Sequence, residues 1–144
     1  EKAGIMPGAE MLRAIQLAEQ DKIPVTLIDR PIGETFLRIK SIPFREKCKL
    51  LWLLLKGLAL SPFYRGDIDL RKVPDEALIE QALAFLRKEL PHFYRVLVEE
   101  RDKHMANQLL HLGRHYTTIV AVVGAGHRKG IQRLLVRHLP NLFS

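Results

Sequence analysis

The sequence has a single cysteine, few aromatic side chains and no apolar run long enough to cross a membrane. Because Cys48 has no second cysteine to pair with, an internal disulfide is excluded, and a reducing compartment such as the cytoplasm fits best. The most apolar stretch, residues 50–55, lies between Lys49 and Lys56, whereas a membrane-spanning helix needs about 20 apolar residues. Aromatic residues make up only 7% of the chain, so a base-stacking surface is not indicated and we expect no nucleic-acid partner.

The chain carries a formal net charge of +7, from 23 Lys+Arg against 16 Asp+Glu. The basic residues are spread along the sequence, which favours acidic partners without identifying one. Lys129, Arg133 and Arg137 form a basic row on the last predicted helix. This row is either a solvated face or a contact for anionic lipid or phosphate.

Helical periodicity dominates the sequence, and strand signals are few. The first predicted helix is opened by Pro7-Gly8 and runs to about Gln20. Further helices are predicted over 33–39, from Pro43 through Trp52, over Glu76–Glu89 with Asp75 as N-cap, from Phe93 to Leu112, and after His127. Two continuous apolar runs, 25–28 and 118–123, are typical of strands buried in a parallel sheet. Because two strands do not make a stable sheet alone, we predict a helix-rich, incomplete α/β domain with few parallel strands.

The strongest candidate for chemistry is the turn Gly124-Ala125-Gly126-His127, between the second apolar run and the last predicted helix. Glycines allow a sharp turn, and ligands bind at the carboxyl ends of strands in open α/β sheets. A neutral imidazole there can ligate a metal or move a proton, and we expect His127 to lie on a loop outside the core. The alternative is a tight turn with an incidental surface histidine, because short glycine motifs match by chance.

Polar residues also follow the first apolar run. Asp29 and Arg30 come directly after 25–28, and they are either a capping Asp with a structural Arg or part of a site. Arg101 falls on the apolar face of the long predicted helix, where a charge needs a partner, so it belongs either to a structural ion pair or to an active site. We therefore expect these three residues and His127 to line one cleft, with Arg101 paired to a carboxylate.

Four blocks in order give the sequence a resemblance to a known family. They are Pro7-Gly8-Ala9-Glu10-Met11; Leu27-Ile28-Asp29-Arg30-Pro31-Ile32 with Thr35 and Arg38; Glu100-Arg101-Asp102 with Met105; and Val122-Val123-Gly124-Ala125-Gly126-His127 with Gly130-Ile131. Each block alone is weak, but together they are similar to the TraB family, which includes the PrgY pheromone-shutdown proteins. The resemblance covers nearly the whole chain.

The resemblance implies a site as well as a fold. The TraB family is related to the Tiki metal-dependent proteases and, more distantly, to erythromycin-esterase-like and ChaN-like folds. Its members have two Gly-Xaa-Xaa-His motifs, and their site combines the two histidines with carboxylates and an arginine. The resemblance thus implies catalytic roles for His127, Arg101, Glu100, Asp29 and Arg30, cofactor binding by Gly124 and Gly126, and binding of a divalent metal by His127 and Glu10 in the full-length protein.

The sequence departs from the family pattern in one respect. It has no second Gly-Xaa-Xaa-His motif, and the family's N-terminal strand, first histidine and glutamate-bearing strand are absent. We therefore expect residues 1–144 to be the C-terminal portion of a single TraB-like domain, with half of the site missing and no metal bound to this fragment. Uncovered strand edges predict self-association.

Three functions stay open at this point. The first is metal-dependent hydrolysis of a peptide, or control of a peptide signal, since bacterial relatives limit the activity of peptide mating pheromones. The second is a regulatory protein that binds a peptide without cutting it. The third is a membrane-docked adaptor that uses the basic row.

Overall fold

Residues 8–60 and 76–138 are described by the computed structural model, and they form a helical assembly. The elements are α1 (Ala9–Gln20), α2 (Ile32–Lys40), α3 (Phe44–Leu60), α4 (Glu76–Glu89), α5 (Pro91–Tyr94), a π-helical turn (Arg95–Glu99), α6 (Glu100–Leu112) and α7 (Ala125–His138). The helices predicted from periodicity are all present, and the bounds of the fourth coincide with the prediction. Its predicted N-cap, Asp75, lies outside the described residues.

The central element is a rod made of α5, the π-helical turn and α6. Proline suits its first position, Pro91, because the first N–H of a helix has no partner within the helix. The next two backbone N–H groups, of His92 and Phe93, donate to Glu46 Oε1 of α3 at 2.8 and 3.0 Å. A carboxylate from another helix thus caps the rod, which ends at Gly113.

Two separate groups of buried apolar side chains line this rod. The first core cluster is Ile42, Leu90, Phe93 and Val96, with Ile39, Leu50, Leu53, Leu86 and Leu97 packed against it. The second core cluster is Met105, Ala106, Leu109 and Ile131, with Ile28, Val123, Leu134 and Leu135 packed against it. The rod therefore contributes its beginning to one core and its end to the other, and α7 closes the second.

The predicted α/β class is confirmed only in its helical part. Within residues 8–60 and 76–138 there is no strand, and 25–28 and 118–123 are neither helical nor joined to another segment by backbone hydrogen bonds. A strand exists only where a neighbour completes its hydrogen-bond ladder, and these two segments do not pair with each other. Both nevertheless pack on the second core cluster, through Ile28 and Val123.

Candidate functional site

A network of charged side chains lies where four parts of the chain meet beside the second core cluster. The participants come from the end of the first apolar segment, from α2, from the first turn of α6 and from the first turn of α7. They are Asp29, Arg30, Arg38, Glu100, Arg101, Asp102 and His127. The structure thus brings together all five residues to which the resemblance gave catalytic roles, and it adds Arg38 and Asp102.

Asp29 and Arg101 form a two-point ion pair across this network. Arg101 donates from Nε to Asp29 Oδ1 at 3.1 Å and from Nη2 to Oδ2 at 2.5 Å. The hydrogen bond from Arg101 lowers the pKa of Asp29 against the raising effect of partial burial, and the same bond raises the pKa of Arg101. The positive charge of a protonated His127 would lower the pKa of Asp29 as well. The carboxylate partner expected for Arg101 is Asp29.

Glu100 binds the second arginine of the network. Arg38 Nη1 donates to Glu100 Oε2 at 2.9 Å, and Arg30 Nη1 lies 3.9 Å from the same oxygen. Arg30 Nε and Nη1 are buried and have no hydrogen-bond partner among residues 8–60 and 76–138. A guanidinium with free N–H groups is suited to bind a carboxylate or another planar anion.

His127 lies in the first turn of α7 and not on a loop. Its backbone N–H donates to Gly124 O at 2.9 Å, and only 14% of its side chain is exposed. The prediction that His127 lies on a loop is therefore wrong, because α7 begins at Ala125 and so includes the histidine, although His127 belongs to neither core cluster. The imidazole is held by Asp102, whose Oδ1 lies 2.6 Å from Nδ1.

Sequence reasoning missed Asp102, although a signal for it was present. Four charged residues in a row, Glu99-Glu100-Arg101-Asp102, usually indicate a solvated face, and this pattern argues against a buried acid at Asp102. However, Asp102 lies four residues after Val98 and three before Met105, and all three side chains are buried. Helical spacing alone thus places Asp102 on the buried face, where an acid needs a partner.

The remaining predicted site residues lie apart from the network. Glu10 is exposed in the first turn of α1 and makes no hydrogen bond or ion pair with the network in the described residues. Gly126 faces Leu83 of α4, since a Cβ at this position would lie 3.9 Å from the leucine side chain. A Cβ at Gly124 would instead lie 3.6 Å from the His127 ring. Both glycines thus lie in ordinary packing contacts.

Metal-binding and membrane-spanning features are absent from the described ranges. Across residues 8–60 and 76–138, no group of three or more His, Cys, Asp or Glu side chains could share a metal ion. In the same part of the chain, no helix combines the length and apolar character that crossing a bilayer requires.

Comparisons with known proteins place the chain in a family. The model of the TraB/PrgY/gumN family matches residues 2–138. An uncharacterized protein of Methanocaldococcus jannaschii, MJ1365, is 40% identical over 138 residues, which cover 94% of this chain and 34% of the relative. The TraB domain-containing proteins of Mus musculus and Homo sapiens are each 32% identical over 154 residues, covering 92% of this chain and 39% of theirs. No solved structure matches significantly. This chain, which spans little more than a third of these relatives, belongs to the TraB/PrgY/gumN family.

Proposed function

We propose that the complete protein hydrolyses a peptide bond at the network around His127. The observation that carries the proposal is the state of the His127 ring. One nitrogen, Nδ1, lies 2.6 Å from a buried carboxylate oxygen of Asp102, and this is the one side-chain hydrogen bond that His127 makes within residues 8–60 and 76–138. An imidazole that is fixed on one side and free on the other is the usual form of a general base or a ligand.

In the proposed hydrolysis, His127 moves a proton and Arg30 stabilises negative charge. Nε2 of His127 removes a proton from a water molecule, whose oxygen attacks the peptide carbonyl carbon. The carbonyl oxygen takes up the negative charge, which the positive charge of the Arg30 guanidinium in the same network would offset. The C–N bond then breaks, and the leaving amine takes the proton from His127. Water is consumed, and the products are a carboxylic acid and an amine, which become a carboxylate and an ammonium group after proton transfer between them.

The divalent metal implied by the family resemblance does not fit the residues described. Asp29 and Glu100 are bound to arginines, Glu10 lies outside the network, and a catalytic metal needs about three protein ligands. His127 supplies one. A metal held by His127 and Glu10 in the complete protein therefore stays a hypothesis based on resemblance, and no step above depends on it.

A second candidate is binding of a peptide without cleavage. It is favoured by the three arginines of the network, Arg30, Arg38 and Arg101, because a cluster of arginines suits a peptide carboxylate. The membrane-associated adaptor has less support, because Lys129 of the basic row is paired with Glu76 and Glu80 of α4.

The test uses the complete protein and a library of quenched fluorescent peptides, with and without a chelator. Hydrolysis that His127→Ala abolishes supports the first candidate, and its response to the chelator together with the measured metal content decides whether a metal takes part. Saturable peptide binding without product, weakened by Arg30→Ala, supports the second. Hydrolysis that is unchanged in His127→Ala contradicts the proposed site.

A further inference from the structure

Gly130 of α7 leaves room for the carboxylate that holds His127. A Cβ built on Gly130 would overlap Asp102 Oδ2 and would lie 2.7 Å from Asp102 Cγ. The corresponding positions at Gly33 and Gly57, in α2 and α3, have no heavy atom within 4 Å. Among the described residues only Gly8 is a glycine with positive φ, so Gly130 is needed for space and not for an unusual backbone conformation.

The geometry of α7 puts this space next to the histidine. His127 and Gly130 are three residues apart, so they lie on the same side of the helix, and the Asp102 carboxylate contacts both. Only 8% of the Asp102 side chain is exposed. The side chain therefore has little freedom to move away without losing its contact with the imidazole.

We infer that Asp102 and Gly130 act as a positioning pair that fixes the tautomer of His127. A carboxylate can only accept a hydrogen bond, so the nitrogen that faces it must carry the proton. Nδ1 is then the protonated nitrogen and Nε2 has the free lone pair. This inference concerns the same site as the proposed hydrolysis, but the tautomer can be measured without any turnover.

The first experiment reads the tautomer by nitrogen NMR of the complete protein labelled with ¹⁵N-histidine, at an alkaline pH where imidazole is neutral. His127→Ala identifies the His127 signals. In the unsubstituted protein we expect proton coupling on Nδ1 and an unprotonated Nε2. Asp102→Asn keeps the side-chain volume but can donate to Nδ1, so the proton should move to Nε2. Gly130→Ala should reduce the Nδ1-protonated population, and Gly57→Ala should leave it unchanged.

A second measurement checks the steric part by thermal unfolding of single and double variants. If Asp102 occupies the space beside Gly130, Gly130→Ala should lower Tm, and combining it with Asp102→Ala should restore part of the loss. This comparison also covers the case in which Gly130→Ala alone does not fold.

Two results would overturn the inference. One is a Nδ1-protonated His127 that persists in Asp102→Asn. The other is strict additivity of the Gly130 and Asp102 substitutions in the unfolding experiment. If the tautomer changes as expected while no peptide is cleaved, the positioning pair stands and the proposed hydrolysis fails.

Discussion

Within residues 8–60 and 76–138, two buried carboxylates each contact a histidine, and the two pairs are alike at the point of contact. Glu46 Oε2 lies 2.6 Å from Nδ1 of His92, and Asp102 Oδ1 lies 2.6 Å from Nδ1 of His127. Each pair joins elements that are distant in sequence, and each lies beside one of the two core clusters. The hydrogen bond alone therefore does not tell a structural pair from a catalytic one.

The two pairs differ in what the second oxygen of each carboxylate contacts. The second oxygen of Glu46 accepts two backbone N–H groups and caps the rod, while the His92 side chain is 42% exposed. The second oxygen of Asp102 faces Gly130, and its histidine is more deeply buried. We conclude that the first pair organises the backbone, whereas the second is organised around the imidazole.

The largest expected effect separates the two histidines by activity. In the complete protein, His127→Ala should lower kcat for peptide hydrolysis by about 10²–10⁴-fold, because a general base contributes that much. The matched variant His92→Ala should keep near-normal kcat. Steady-state assays on both, with thermal unfolding to confirm that each is folded, make the comparison. Equal losses in the two variants would refute the distinction.

The next effect separates the two carboxylates by stability. Glu46→Ala leaves two helix N-terminal N–H groups without their acceptor, so the free energy of unfolding should fall by about 2 kcal/mol. Glu19→Ala, at an exposed position of α1, should change it by less than about 0.5 kcal/mol. Urea unfolding measures both. A loss for Glu46→Ala no larger than that of the control would show that the cap is unimportant.

A third comparison concerns the surfaces beside the two clusters. Leu27 and Val120, in the segments that flank the second cluster, are 84% and 87% exposed. We expect residues 1–144 to self-associate through these segments, and substituting both by lysine should raise the dimer Kd by at least about 10-fold, since burying one such side chain contributes about 1.5–3 kcal/mol.

The matched control for self-association lies on α3, beside the first cluster. Leu51 and Leu55 are exposed there, and lysine at both should leave the Kd nearly unchanged. Sedimentation velocity over a range of concentrations distinguishes the two surfaces. Dispersal by the α3 substitutions alone would assign the association to the other side of the molecule.

The smallest expected effect is on how steeply Tm falls as the pH is lowered. Burial raises the pKa of Glu46, but hydrogen bonds from Phe93 and His92 outweigh it, so the pKa in the folded protein is below the ordinary value. Such a carboxylate stabilises the fold fully above its unfolded pKa of about 4.3, and this contribution is lost as pH falls through the folded pKa. Glu46→Gln should flatten the decline of Tm below about pH 4.5. An unchanged slope would contradict this account.

Local signals explain what the sequence predicts well. Periodicity and proline positions fix the helices, since α4 depends on the spacing of Leu78, Ala82 and Phe85 along its own length. The convergence of Asp29, Arg30 and Arg101 with His127 followed from family resemblance and from the need of a buried charge for a partner. The site role of these residues stays a prediction.

Non-local interactions explain the rest. The segments 25–28 and 118–123 have strand-like composition, but a strand needs a hydrogen-bonded neighbour that no local pattern supplies. Glu46 and His92 are 46 positions apart in the sequence. The residues around each of them give no signal from which this contact could be predicted. Helical spacing alone predicts that Asp102 is buried, but the run of charged residues around it favours an exposed position.

The π-helical turn Arg95–Glu99 determines how the side chains of α6 are rotated about the rod axis relative to those of α5. Each α-helical residue advances about 100° around the axis, and a π turn accommodates one residue beyond the α-helical repeat. Phe93 and Val96 therefore face one core while Asp102 and Met105, beyond the turn, face another. Removing one residue from this turn would rotate Asp102 away from His127 by about 100° without changing any side chain of the network. A single-residue deletion in this turn is thus expected to separate Asp102 from His127 while leaving every residue of the network in the sequence.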